Sequence, residues 1–201
     1  MTQTPDIAAV ILAAGMSTRM GGKLKQLLPF GADEKPLIEV VVSRVVAQVD
    51  RVIVVLGHRA DEISPLIGDY GVELVVNERY QQGMITSVQC GIRAAGEARG
   101  YLICLGDQPG LGERTLTLVL ERAAHMRRGI AIPECDGRRG HPIYLTKHYR
   151  TEILGLPLDL GLNAVTGAHP DETERIQVPD ESILIDVDTP QEYDETRYRW
   201  N

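Results

Sequence analysis

Ile7-Ala8-Ala9-Val10-Ile11-Leu12-Ala13-Ala14-Gly15-Met16-Ser17-Thr18-Arg19-Met20-Gly21-Gly22 decides how the rest of this chain is read. Residues 7–12 are an unbroken apolar run, suited to a strand covered on both faces. The stretch that follows, residues 13–25, is polar and rich in small residues. Small side chains let backbone approach a ligand, and successive N–H groups can cradle phosphate. Arg19 and Lys25 bring positive charge to the same loop. It is not a Walker A sequence, since Gly22-Lys23 is followed by Leu24, and GxGxxG is absent. A backbone cradle with two cations remains, which meets the needs of phosphoryl chemistry on a nucleotide: orientation and neutralisation of developing charge. A Gly-rich turn with solvated cations has the same composition.

Outward from this loop, strand and helix patterns alternate. Ile38, Val41, Val42, Val45, Val46 and Val49 recur at helical spacing, which predicts an amphipathic helix over residues 36–49. Strands are expected at 51–56, 72–76 and 101–105. Helices are expected at 61–67 (interrupted near Pro65), 85–95 and 113–126. Short strands follow at 130–132, 143–145, 176–178 and 184–187. A last helix is expected over 190–199, with proline in its first turn. No linker or internal repeat divides the 201 residues, so a single domain is expected over 1–201. Such alternation implies a largely parallel sheet with helices on both faces. Ligands then bind beyond the carboxyl ends of the strands, which selects the loops after Leu12, Leu56, Val76, Leu105 and Val187.

Composition narrows the function. Hydrophobic residues are 43% and charged residues 24%, a globular balance. The formal net charge of -7 argues against a nucleic-acid or membrane-surface binder, which would want a basic face. No apolar run approaches the roughly 20 residues needed to span a bilayer, and no positive n-region precedes residues 7–12, so no signal peptide is expected. Cys90, Cys104 and Cys135 form no CxxC pair, which suggests neither a zinc site nor a disulfide framework, and makes the cytoplasm the expected compartment. Cys90 and Cys104 lie in apolar stretches and read as core.

Two of the selected loops carry carboxylates. Gly106-Asp107-Gln108-Pro109 follows a buried strand, and Asp186-Val187-Asp188-Thr189-Pro190 another. Strand alternation would put Asp186 and Asp188 on one side. Carboxylates at two strand ends can clamp one Mg²⁺, which is usually held by one or two carboxylates plus substrate phosphates. Asp188 also suits the N-cap of the helix that starts at Pro190. Gly83-Met84-Ile85-Thr86-Ser87 opens a helix after Asn77, where N–H groups and hydroxyls can meet a ribose or base, or simply cap the helix. Arg138-Arg139-Gly140-His141-Pro142 is a basic turn that can greet an anionic acceptor or stay solvated. His58, His125, His148 and His169 have no metal-ligand spacing.

Leu12-Ala13-Ala14-Gly15-x-Ser17-x-Arg19-Met20-Gly21, followed by Lys25-x-Leu27-Leu28-Pro29, resembles the signature of the MobA/MocA-like nucleotidyltransferases. Gly83-Met84-x-x-Ser87, Gly106-Asp107-Gln108-Pro109, Gly140-His141-Pro142 and Asp186-Val187-Asp188-Thr189-Pro190 follow in the family order, so the resemblance spans nearly the whole chain. Within the family it is most similar to the molybdenum cofactor cytidylyltransferase branch. The resemblance implies a three-layer α/β/α sandwich with a mostly parallel, Rossmann-like sheet of the nucleotide-diphospho-sugar transferase type. It implies transfer of CMP from CTP to the phosphate of molybdenum-bound molybdopterin, and release of pyrophosphate. Leu12, Ala13, Ala14 and Gly15 would line the nucleotide, with Asn77, Gly83, Ser87 and Asp107 around it and Arg19 and Lys25 as catalytic cations on its phosphates. Asp107 and Asp188 would hold Mg²⁺, and His141 would lie near the acceptor. The product would pass to a molybdoenzyme or its chaperone.

Two departures stand out. One extra residue lies between Gly21 and Lys25, so Lys23 competes for the family lysine; Leu27-Leu28-Pro29 favours Lys25. Leu158-Asp159-Leu160-Gly161-Leu162-Asn163-Ala164 stands where relatives often show Gly-Asp-x-Gly-Ala-Arg, and it lacks the arginine. Ala13-Ala14-Gly15 stands where guanylyl-transferring relatives more often have Ala-Gly-Gly, which points to CTP over GTP. The same parts would serve a sugar-phosphate or methylerythritol-phosphate nucleotidyltransferase, or a nucleotide-binding regulator without turnover.

Overall fold

The computed structural model describes residues 7–199. In chain order its elements are β1 (Ile7–Ala13), β2 (Pro29–Phe30), β3 (Lys35–Pro36), α1 (Leu37–Val46), β4 (Arg51–Leu56), α2 (Ala60–Ile67), β5 (Glu73–Val76), α3 (Met84–Ala95) and β6 (Gly100–Leu105). Then come α4 (Glu113–His125), β7 (Ile130–Cys135), β8 (Arg138–Arg139), β9 (Ile143–Thr146), α5 (Arg150–Gly155), α6 (Asn163–Ala168), β10 (Thr173–Gln177) and α7 (Pro190–Thr196). The main sheet has the order β10-β7-β9-β6-β1-β4-β5, with β8 paired to β7 off that path.

β1 lies between β4 and β6 and runs parallel to both. Its side chains alternate between two cores, as a strand requires. Ile7, Ala9, Ile11 and Ala13 face the cluster built with α1, α2 and α4. Ala8 and Val10 face the cluster built with α3, α5 and α6. The sheet is therefore buried on both faces, which explains why β1, β4 and β6 read as near-continuous apolar runs. The expected three-layer α/β/α sandwich is the observed architecture. β9 departs from the parallel pattern by running antiparallel to both β6 and β7.

Several boundaries differ from the sequence expectations, each for a local reason. Helix α1 stops at Val46, where the chain tightens: the Gln48 N–H donates to the Val45 carbonyl three residues back (3.1 Å). Helix α2 runs through Pro65 unbroken; the fully buried Ile63 and Ile67 hold it in place despite the lost backbone bond. Residues 184–187 are not a strand. Glu181–Leu184 form a 3-10 turn, begun by Asp180 accepting from the Ser182 N–H. The apolar residues there serve packing and not pairing: Leu184 packs against the cluster of Cys135, Val178 and Ile183, and Val187 is buried in the cluster with α1, α2 and α4. Helices α5 and α6 have six residues each, too short for periodicity to announce them. The last helix ends at Thr196, and residues 197–199 form a turn.

Candidate active site

Three strand exits converge at one edge of the sheet. The Gly106 N–H donates to the Leu12 carbonyl (2.9 Å) and the His58 N–H to the Ala14 carbonyl (3.3 Å). The approach is close enough to require glycine. A Cβ on Gly106 would lie 2.8 Å from the Leu12 carbonyl oxygen, and one on Gly57 2.8 Å from the Cβ atoms of both Ala14 and Tyr80. A side chain at either position would push the exits of β1, β4 and β6 apart.

The loop after β1 is folded back on itself by Ser17. Ser17 is a non-glycine residue with φ 52°, a conformation that costs energy and that tends to persist at functional sites. Its carbonyl accepts from the Met20 N–H (2.9 Å), and its hydroxyl accepts from the Lys25 N–H (3.2 Å) and donates to Gln26 Oε1 (3.3 Å). This brings Lys25, on a 3-10 turn, under the loop.

Lys25 is the centre of the cluster. Its side chain is 8% exposed, and its ammonium donates to Asp107 Oδ2 (2.5 Å) and Asp188 Oδ1 (2.8 Å). The other oxygen of Asp188 pairs with Arg19 (2.5 Å), whose side chain is 65% exposed. Burial alone would lower the Lys25 pKa; the two carboxylates more than offset this and hold it above its usual value. Burial likewise pushes Asp188 up, but Lys25 and Arg19 bring it below the usual carboxylate range. Asp188 does not cap α7. That role falls to Thr189, which forms a capping box with Glu192, while the Asp188 N–H donates to Glu192 Oε2 (3.0 Å). The Asp188 carboxylate is thereby left to face Lys25.

Asp186 is a third carboxylate at this edge. Burial, then the charges of Asp107 and Asp188, raise its pKa to about 6, against the pull of the Gln108 hydrogen bond and of Lys25. The buried Gln108 amide donates to Asp186 Oδ1 (2.7 Å) and to the Ile183 carbonyl (3.1 Å). The Val187 N–H adds a bond to the Asp107 carbonyl (2.9 Å). Together they tie the segment before α7 to the exit of β6, and so bring Asp188 to Asp107.

A cleft of about 400 Å³ opens over this cluster. Leu12, Ala14, Gly15, Arg19, Lys25, Gly83, Ser87, Asp107 and Asp188 line it, as do Gln26, Tyr80, Gln81, Met84 and Asp186. Three residues singled out in the sequence do not. The Ala13 side chain points into the core on the α1 side, 1% exposed. Asn77 is buried behind the cleft wall, where its amide donates to the hydroxyls of Thr86 and Ser87 (2.8 and 2.9 Å) and so fixes the start of α3. His141 packs beside the 183 segment, its N–H donating to the Ile183 carbonyl (3.4 Å), and burial lowers its pKa to about 4. Tyr80 and Gln81 belong to no motif in the sequence. Their signal was position alone, in the loop after β5.

Among the described residues, no group of three or more His, Cys, Asp or Glu side chains is arranged to hold a metal by itself. A Mg²⁺–nucleotide complex asks for less: one or two carboxylates, the rest from phosphates and water. Asp107 and Asp188, hard oxygen donors turned toward one cationic nitrogen, fit that requirement.

The MobA-like NTP transferase domain matches residues 9–173. The chain belongs to the MobA-like NTP transferase family. Over 199 residues it is 26% identical to the molybdenum cofactor cytidylyltransferase of Escherichia coli (strain K12), covering 96% of this chain and 97% of that protein. Over 196 residues it is 31% identical to the nicotine blue oxidoreductase of Paenarthrobacter nicotinovorans, covering 94% and 95%. Among solved structures, a nucleotidyl transferase from Methanothermobacter thermautotroptrophicus superposes with a TM-score of 0.82 at 26% identity, over 95% of each chain. The carboxylate and lysine cluster of this chain sits where β1 and β6 leave the sheet of that fold. Among the described residues, no helix is long and apolar enough to cross a membrane.

Proposed function

We propose that this MobA-like nucleotidyltransferase moves CMP from CTP to the phosphate of the molybdenum cofactor, with Mg²⁺, in the cytoplasm. The observation that carries this is Lys25, pinned between Asp107 and Asp188 under the Gly-rich loop, with Arg19 at the rim. An acceptor phosphate oxygen attacks the α-phosphorus in line; the new P–O bond forms as the bond to the β-phosphate breaks, and pyrophosphate leaves. The acceptor phosphate is already ionised at neutral pH, so no protein nucleophile is needed. Catalysis then rests on positioning and charge neutralisation. Lys25 remains cationic because its pKa is raised, and its carboxylate partners fix its direction before substrate arrives. Arg19 is mostly exposed, and an exposed ion pair is worth under about 1 kcal/mol, so it can leave Asp188 for a phosphate at little cost. Asp107 and Asp188 would hold Mg²⁺, which when bound adds positive charge against the triphosphate.

The backbone at Ala13 to Gly15, with the Gly83 and Ser87 side of the cleft, would meet the nucleoside. Asn77 would act through the Ser87 hydroxyl. His141 is uncharged at neutral pH, so it would offer the acceptor a hydrogen bond and not a charge. The molybdenum cofactor as acceptor is supported by the Escherichia coli relative, and handing the product to a molybdoenzyme or its chaperone follows from that choice. The test supplies CTP, Mg²⁺ and molybdenum-loaded molybdopterin, and follows pyrophosphate and product mass. A sugar phosphate or methylerythritol phosphate that outperforms the cofactor would move the acceptor but keep the chemistry. NTP binding without pyrophosphate from any acceptor would make the chain a regulator. The relative named nicotine blue oxidoreductase supports a second reading, an oxidoreductase. NAD(P)H oxidation without pyrophosphate release would favour that reading.

A further inference from the structure

A second hollow lies on the other side of the wall that carries Asn77. It is a groove of about 300 Å³ between the chain leaving β5 and one face of α3. Thr86, Gln89, Cys90 and Arg93 line it, at the i, i+3, i+4, i+7 spacing that gathers side chains on one helix face. Asn77 and Arg79 line it from the β5 side. Three of these side chains are polar and buried: Asn77 is 5% exposed, Thr86 and Gln89 3%. Burying polar groups is costly unless they are paired. The Thr86 hydroxyl is paired, bonding to the Arg79 and Gly83 carbonyls (3.0 and 2.8 Å). Gln89 is paired at one end only. The Ile153 and Leu156 carbonyls accept from its amide nitrogen (3.1 and 3.0 Å), which identifies the other end as the oxygen, and no described group donates to it.

Two cations flank these groups, in a protein of net charge -7. Arg79 uses its Nε to bond Gln82 (3.0 Å), which leaves its terminal nitrogens available. Arg93 makes no side-chain hydrogen bond or ion pair among the described residues. Its charge is felt in the groove: burial pushes the Cys90 thiol pKa up, and Arg93 draws it back down. Glu78, the one acid in the lining, forms an ion pair with neither arginine. Guanidinium groups present donors that match phosphate oxygens in pairs. The remaining Gln89 oxygen asks for a hydrogen donor. A phosphate that carries its own proton or a neighbouring hydroxyl meets both demands. The groove is also wired to the cleft. The Asn77 amide donates to Thr86, which lines the groove, and to Ser87, which lines the cleft (2.8 and 2.9 Å). The Asn77 oxygen accepts from the Arg79 N–H (3.0 Å). One buried side chain therefore joins the two hollows.

We propose that the groove of Arg79, Gln89 and Arg93 is a second ligand site, for a small phosphate-bearing molecule with a hydrogen donor, coupled to the cleft through Asn77. The coupling rests on the nucleotidyl-transfer reading; the binding does not. Cys90 is a local reporter, since it lines the groove half-buried while Cys104 and Cys135 are buried. Its alkylation by iodoacetamide, located by peptide mass, is timed against rising inorganic phosphate or glycerol 3-phosphate, with ionic strength held constant by chloride. The expected result is a saturable slowing at Cys90. Tighter protection by inorganic phosphate identifies the free ion as the ligand, and tighter protection by glycerol 3-phosphate identifies an ester. The double substitution Arg79→Gln, Arg93→Gln should abolish the protection without changing thermal unfolding, because both side chains are exposed. Should that variant fail to fold, Arg93→Gln alone makes the comparison. CTP with Mg²⁺ should shift the half-protecting concentration by about five-fold or more, as coupled sites do. No saturable protection, protection that survives the substitutions, or no shift with CTP bound overturns the proposal. Failure to bind CTP by calorimetry would instead overturn the nucleotidyl-transfer reading, and the protection measured without CTP would decide the site by itself.

Discussion

Lys23 and Lys25 are two positions apart and have opposite surroundings. Lys23 is exposed, whereas Lys25 is buried between two carboxylates. Lys25→Ala should therefore lower kcat by at least about 10²-fold, as loss of one preorganised charge commonly does, and Lys23→Ala by only a small factor. Steady-state pyrophosphate release gives the ranking, and the reverse order would contradict it. The sequence offered only a spacing argument for this choice, the Leu27-Leu28-Pro29 that follows. The physical reason, a Ser17 turn that folds Lys25 under the loop, is a tertiary fact that spacing cannot carry. Base choice also belongs at this scale. The Ala14 methyl is packed between the exit of β4 and the cleft, so CTP should outcompete GTP, and Ala14→Gly should gain GTP use. One methyl is worth only about 1–3 kcal/mol in such discrimination. Equal CTP and GTP with product identified by mass is the check, and a product carrying mainly GMP would overturn the base assignment.

The segment from Asp186 into α7 shows where sequence reasoning divides. Motif order marked Asp186, Asp188 and Thr189 together, and the capping role was open between function and structure for Asp188. Local hydrogen bonds decide it: Thr189 caps, and Asp188 faces the cluster. Thr189→Ala should cost about 1 kcal/mol, or roughly 2–4 °C in Tm for a domain of this size, with most activity kept. Asp188→Asn should do the opposite, losing turnover with little change in Tm. Thermal unfolding beside a rate assay separates the two, and equal loss of stability in both would contradict the division of roles. The preceding strand was misread because an apolar run signals burial, not pairing. Ile183 is buried against Cys135 and Val178 in a 3-10 turn. Gln108 sat inside a motif, yet its work of tying that turn to β6 needs two partners distant in the chain.

At the scale of the molecule, alternation of strand and helix patterns was enough to read a sheet with helices on both faces. Strand direction was less legible, because a four-residue apolar run such as β9 looks the same whichever way it runs. The topology gathers the exits of β1, β4 and β6 at one edge, so a nucleotide bound there should brace the whole sheet. At 100 times its Kd, CTP with Mg²⁺ should stabilise the fold by about 2.7 kcal/mol, or roughly 5–10 °C in Tm, and the shift should shrink in Asp107→Ala. The measurement that tests the central claim most directly is pyrophosphate release by wild type and Asp107→Ala, with CTP, saturating Mg²⁺ and molybdenum-loaded molybdopterin, and the product identified by mass. The expected result is a CMP-bearing product from wild type and a rate about 10²–10³-fold lower, or lower still, in the folded variant. No pyrophosphate from wild type with any acceptor, or a near wild-type rate in Asp107→Ala, would contradict it.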